Sequence, residues 1–301
     1  MSRFLPIDHQ GGRLPEEAIH RQLAGSHALR LSPRPETFDF DGELQRELQV
    51  RRVERELVET ERAAVAHLIR AVPSNPEGFV AWFESLERTG PGQHDPLFSW
   101  LAEHASHQQM CWFLKQELAG EAGFDDLVAL TQLKLPARAK LELARNYWDE
   151  MGQGSEGGMH GPMLGNLACA LDLDGSEDTV WEALALGNLM VALATARSYA
   201  YQSIGALGVI ELTAPGRSQL VNAGLKRLGI GGAARRYYAL HSTLDVRHSQ
   251  TWNREVLGPL VEGNPELASR IAEGALLRLR AGARCFDRYR CELWGQAELA
   301  H

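Results

Sequence analysis

The chain has 301 residues, 44% of them hydrophobic and 23% charged, which is enough for one large core or two small ones. A net charge of −8 argues against nucleic acid or an anionic membrane surface as the main partner. The four cysteines, Cys111, Cys169, Cys285 and Cys291, form no C-x-x-C pair, which argues against a zinc ribbon or a thioredoxin-type site. No apolar run has the length of a signal peptide or a membrane span, so the expectation is a cytoplasmic protein with reduced thiols and no membrane partner.

Residues 1–41 carry scattered charge, Gly11-Gly12 and Ser32-Pro33-Arg34-Pro35, and read as an irregular N-terminal arm. From residue 42 to 301 the chain reads as a single all-α domain, because period-2 runs are missing and Ala, Leu, Glu and Arg dominate. The pattern predicts helices over 42–72, 76–89, 95–103, 107–120, 123–133, 137–152, 161–172, 177–213, 217–228, 231–261 and 264–297. Ser106, Pro136 and Pro162 mark helix starts. Gly152 to Gly158 and Pro215-Gly216 mark stops.

The sequence Glu103-His104-Ala105-Ser106-His107 brackets a turn, and its two histidines read as structural. Glu117 lies in the aromatic segment Trp112-Phe113-Leu114-Lys115-Gln116-Glu117, which looks buried. A buried carboxylate needs a cation or a metal beside it, and Glu121 one turn later competes for the same role. Glu150 and His160 flank a loop with four glycines, which lets the chain turn sharply and approach another element closely. Glu211 falls near the end of the helix predicted over 177–213, where a carboxylate opposes the macrodipole and suggests a nearby cation, a solvated side chain being the plainer reading.

The densest signal is His241-x3-Asp245-x2-His248. At ~100° per residue Asp245 lies ~40° from His241 and His248 ~20° to the other side, so all three point the same way. Two imidazoles and a carboxylate with open positions are the donor set of a non-haem iron site. Gly229-Ile230-Gly231-Gly232 follows a helix, not a strand, and reads as an interhelical turn; no flavin or nicotinamide fingerprint is present.

These residues resemble the haem-oxygenase-like di-iron oxidases and oxygenases, also called iron-containing redox enzymes. The resemblance spans roughly residues 75–297. It rests on His241-x3-Asp245-x2-His248, on Gly205-Ala206-Leu207-Gly208-Val209-Ile210-Glu211 one helix upstream and thirty residues before His241, and on Asn146 to Gly154 leading into His160. It implies a bundle of about seven core helices, here with extra N-terminal helices, holding two Fe ions. One iron would take Glu211, His241 and Asp245, the other Glu117, His160 and His248, with a bridging carboxylate. Glu150 matches a glutamate that moves onto the metal when O2 binds. The implied activity is O2-dependent oxidation of a small organic substrate, by N-oxygenation or oxidative C–C cleavage, with O2 as co-substrate and an external electron donor.

Ferritin-like bundles need two carboxylate-x-x-His pairs, and this chain has one at the key place, Asp245-x-x-His248. A true haem oxygenase or a metal-free relative would leave the donor cluster unexplained. The alternative from another class is a metal-free or inactive bundle acting as a scaffold or binding protein. Arg197, Arg217 and Arg247 are candidates to hold a substrate carboxylate, Tyr199 and Tyr201 to line a pocket, and the last helix, with Trp294, to cap the bundle or form a homodimer.

Overall fold

The computed structural model describes residues 14–33, 39–121, 123–173 and 179–298, with the side chains of 121 and 296–298 left aside. In chain order the helices are α1 (Glu16–Leu31), α2 (Phe40–Ile69), α3 (Pro76–Thr89), α4 (Pro96–Glu103), α5 (His107–Glu121), α6 (Phe124–Thr131) and α7 (Ala137–Glu150). They continue as α8 (His160–Ala170), α9 (Trp181–Thr195), α10 (Ala200–Arg227), α11 (Arg236–Trp252), α12 (Gly258–Gly263) and α13 (Leu267–Glu298). Among the described residues there is no strand, only one isolated bridge between Met151 and Met159. This is the all-α bundle that the resemblance implies. No described helix is long and apolar enough to cross a membrane.

Of the predicted starts only Ser106 is a side-chain cap; Pro136 directly precedes α7 and Pro162 falls in the first turn of α8, neither with a capping hydrogen bond. Ser106 and Gln109 form a reciprocal capping box at α5: the Ser106 N–H donates to Gln109 Oε1 at 2.9 Å, and the Gln109 N–H to Ser106 Oγ at 3.3 Å. Asn75 and Asp95 cap α3 and α4 ahead of Pro76 and Pro96.

Helix α9 and the first half of α10 are buried on nearly every face and occupy the centre. The α10 helix packs on α11, α13, α4 and α9. Its crossing with α13 is too close for side chains on the facing glycines. A Cβ on Gly205 would lie 1.8 Å from the Ile271 carbonyl oxygen, and one on Gly274 would lie 1.7 Å from that of Gln202.

Three expectations are corrected. The stretch read as an irregular arm contains α1, whose buried face is Ile19, His20, Leu23 and His27. Two of these are histidines, which hides the apolar period. His20 stacks on Trp181, and His27 Nε2 lies 2.8 Å from Glu54 Oε1 on α2. The remainder of the arm, 1–13 and 34–38, lies outside the described residues.

The helix expected over 177–213 breaks instead at Ala196–Tyr199, and α10 runs through Pro215. At the break the Arg197 guanidinium turns onto the carbonyls of Leu130, Thr131 and Leu133 at the end of α6, so Arg197 is used in the scaffold. Pro215 removes only the hydrogen bond to the Glu211 carbonyl, and packing on both sides of α10 outweighs that loss. Glu211 is therefore mid-helix, and the macrodipole reason for a cation there falls away.

The helix expected over 231–261 is α11, a π turn over Asn253–Leu257, and α12. Pro259, which has no N–H, stands two residues after the widened turn, in the first turn of α12.

Replacing Gly274 by Ala is expected to destabilise the protein by about 1–3 kcal/mol, the usual cost of forcing a methyl into a filled contact. The denaturation midpoint measures it; a midpoint equal to that of the parent would show that the crossing relaxes freely.

Candidate metal centre

Helices α7, α8, α10 and α11 converge on a cluster of buried donors. Glu150 is the last residue of α7 and His160 the first of α8. Between them the chain folds back on itself. Gly152 takes φ +60°, and a Cβ there would lie 2.2 Å from the Gly158 carbonyl carbon. Only glycine lets the two arms of the loop touch in this way. The result sets His160 Nδ1 2.7 Å from Glu150 Oε2. Opposite them α11 presents His241, Asp245 and His248, all buried, and α10 presents Glu211, 2% exposed.

Two donor groups form here. Single ligand atoms of Glu150, His160 and His241 all lie within 4.8 Å of one another, and so do those of Glu150, Glu211 and His248. Glu150 belongs to both. Asp245 lines the same cavity of about 70 Å³ as Glu150, Glu211 and His241, beside Met190, Ile210 and Arg278.

The grouping differs from the one implied by resemblance, because His160 sits with His241 and Glu211 with His248. Glu117 is in neither group. Its surroundings are Arg217 on α10 and Arg278 and Tyr289 on α13. Burial raises the Glu117 pKa while those two guanidiniums and the Tyr289 hydroxyl oppose the rise. The carboxylate on the aromatic face of α5 thus has arginines as its cations. The competing Glu121 side chain lies outside the described residues.

Arg217 also donates to Thr213 Oγ1 at 3.0 Å and rests on Phe98 and Phe286, and Arg247 is exposed. Tyr199 donates to Glu59 Oε1 at 2.8 Å and is not among the residues that line this cavity. His104 and His107 are exposed.

The protonation states suit a cation. Burial holds the His160 pKa down at about 4, helped by the charge of His248, and burial also lowers His241. Both rings are therefore neutral near pH 7. His241 Nδ1 donates to the Tyr237 carbonyl at 2.8 Å, which leaves the Nε2 lone pair as its donor. His160 Nδ1 is buried and has no hydrogen-bond partner, because its short contact with Glu150 is not aligned as a hydrogen bond. Two donors side by side and out of hydrogen-bond alignment are what a shared ion between them requires.

Burial, with the charge of Glu211, pushes Glu150 up to about 8. Burial resists charging His248, but its hydrogen bond to Glu211, the Glu211 charge and the hydrogen bond to Asp149 outweigh this and raise it to about 9. Three buried carboxylates against three imidazoles need positive charge, supplied by protons or by metal. Oxygen and imidazole donors suit iron.

Asn146 and Asp149 carry part of the resemblance but are not among the candidate site residues of the sequence. Asn146 Nδ2 donates to Glu211 Oε1 at 2.5 Å, and Asp149 Oδ2 lies 3.2 Å from His248 Nε2. Asn146 stands one turn before Glu150 on the same helix face, the i, i+4 relation that could have revealed it.

Residues 111–283 match a family described as iron-containing redox enzymes. All seven donor candidates fall within that span. No curated protein matches the chain.

Metal-free protein is expected to lose stability as pH rises from about 6.5 to about 9. Over that range the unfolded chain has already released the protons of Glu150 and His248, whose folded pKa values are raised, while the folded state must still give them up. Bound metal replaces those protons and should flatten the profile. Melting temperatures measured across this range with and without Fe(II) test it; parallel profiles would contradict it.

Proposed function

The chain belongs to the iron-containing redox enzyme family and is an iron-dependent oxidoreductase, and on that premise we propose that it is a non-haem di-iron enzyme that activates O2 to oxidise a small organic substrate, by N-oxygenation or oxidative C–C cleavage. The observation that carries the reading is the membership of Glu150 in both donor groups. One carboxylate shared between two sets of ligands is the arrangement that two adjacent metal ions need. Under this reading His160 and His241 serve one iron, Glu211 and His248 the other, and Asp245 completes the set from the cavity wall. Iron bound there would supply the electrons that reduce O2 beside the substrate.

The remaining work falls to the protein. His241 is held by the Tyr237 carbonyl, and Asn146 steadies Glu211. Glu150, assigned the bridging and responsive role, keeps its proton until a cation displaces it, because burial and Glu211 raise its pKa to about 8. Met190 and Ile210 form an apolar part of a cavity wall that is otherwise largely polar. An external reductant restores the iron after each cycle.

Anaerobic titration with Fe(II) should take up close to two ions per chain. Mixing that form with O2 should give a transient visible absorption, and His248→Ala should abolish it. No uptake of iron would favour the metal-free scaffold instead, and an unchanged signal in His248→Ala would refute that ligand.

A further inference from the structure

The geometry points to Asp149, braced by Gln153, as the positioning residue that fixes His248 with its proton on Nε2 and its donor lone pair on Nδ1. This inference rests on the two-iron reading and adds to it which ring atom binds and what sets that choice.

His248 projects from α11 with its two nitrogens in different surroundings. Nε2 faces Asp149 Oδ2 at 3.2 Å. Nδ1 faces inward, 3.3 Å from Glu211 Oε2 and 3.2 Å from Asn146 Nδ2. In the singly protonated ring, the form a metal ligand takes, the Asn146 N–H meets a lone pair on Nδ1, whereas the metal-free ring carries a proton on each nitrogen. The ring proton then belongs on Nε2, where the Asp149 carboxylate receives it. His241 shows the complementary arrangement: its Nδ1–H is held by the Tyr237 carbonyl, so its donor is Nε2. Two histidines on one helix thus offer opposite ring atoms, and in each the other nitrogen is tied down.

The glycine loop supplies the brace. Gln153 takes a left-handed φ of 54° between Gly152 and Gly154, and its side-chain amide Nε2 donates to Asp149 Oδ1 at 2.8 Å. Gly154 fits under Trp148, where a Cβ would lie 2.9 Å from the indole edge. The loop is held by the close Gly152–Gly158 contact and the Met151–Met159 bridge. Both oxygens of Asp149 are therefore committed, one to the loop and one to the imidazole. A carboxylate behind a ligating histidine orients the ring and strengthens it as a donor, and its loss typically costs 10–100-fold in metal affinity.

The test uses the full chain with labelled histidine nitrogens, loaded with Zn(II) as a diamagnetic probe, and Fe(II) affinity measured in parallel. In the parent protein the His248 correlation, assigned by its loss in His248→Gln, should show a protonated Nε2 and a metal-bearing Nδ1. Asp149→Ala should lose that pattern and weaken Fe(II) binding about 10–100-fold. Asp149→Asn, which keeps an acceptor oxygen, should retain the pattern and recover most of the affinity. Circular dichroism of the variants reports whether the fold is kept. Metal bound through Nε2 in the parent, or an Asp149→Ala variant with unchanged pattern and affinity, would overturn the role of Asp149 alone. A parent protein that binds neither Fe(II) nor Zn(II) would overturn the two-iron reading and this inference with it.

Discussion

The structure depends on one constraint: Glu150, Glu211 and Asp245 are buried together and need positive charge among them. An uncompensated buried carboxylate costs several kcal/mol, so three in one place would not persist in a stable bundle without compensation. In the metal-free chain protons supply part of it, on Glu150 and on His248, whose pKa values rise to about 8 and about 9. His160 and His241 stay neutral in the same environment, one of them at about 4. Rings that resist protonation beside acids that hold their protons form a site in which a divalent ion satisfies every group at once.

The scaffold holds those groups in place by close backbone contact. The Gly205–Gly274 crossing sets α10 against α13, and α10 carries Glu211. The Gly152–Gly158 contact returns the chain so that His160 meets Glu150. Neither contact tolerates a side chain, so the positions of both donor groups are set by backbone geometry rather than by flexible side chains.

Much of this was legible in the sequence because helical spacing is rigid. His241, Asp245 and His248 share a face for the reason their spacing gives, and the glycine loop brings Glu150 to His160 as its composition suggested. Less legible was anything settled by tertiary contact. Glu117 read as a buried acid in need of a cation; it is half-buried, and sequence could not tell arginine from metal, whereas the structure sets Arg217 and Arg278 near it. Pro215 looked like a helix stop and is not one, because α10 is packed on both sides. Ala196, unremarkable as a residue, marks the real break, since Arg197 beside it is pulled onto the end of α6. Helix α1 escaped notice because half of its buried face is imidazole.

The most direct measurement is anomalous diffraction at the iron edge from crystals of the Fe(II)-loaded protein. Two peaks are expected, one within bonding distance of Glu150, His160 and His241, the other of Glu150, Glu211 and His248. A single peak, or iron bound away from Glu150, would contradict the shared-carboxylate centre.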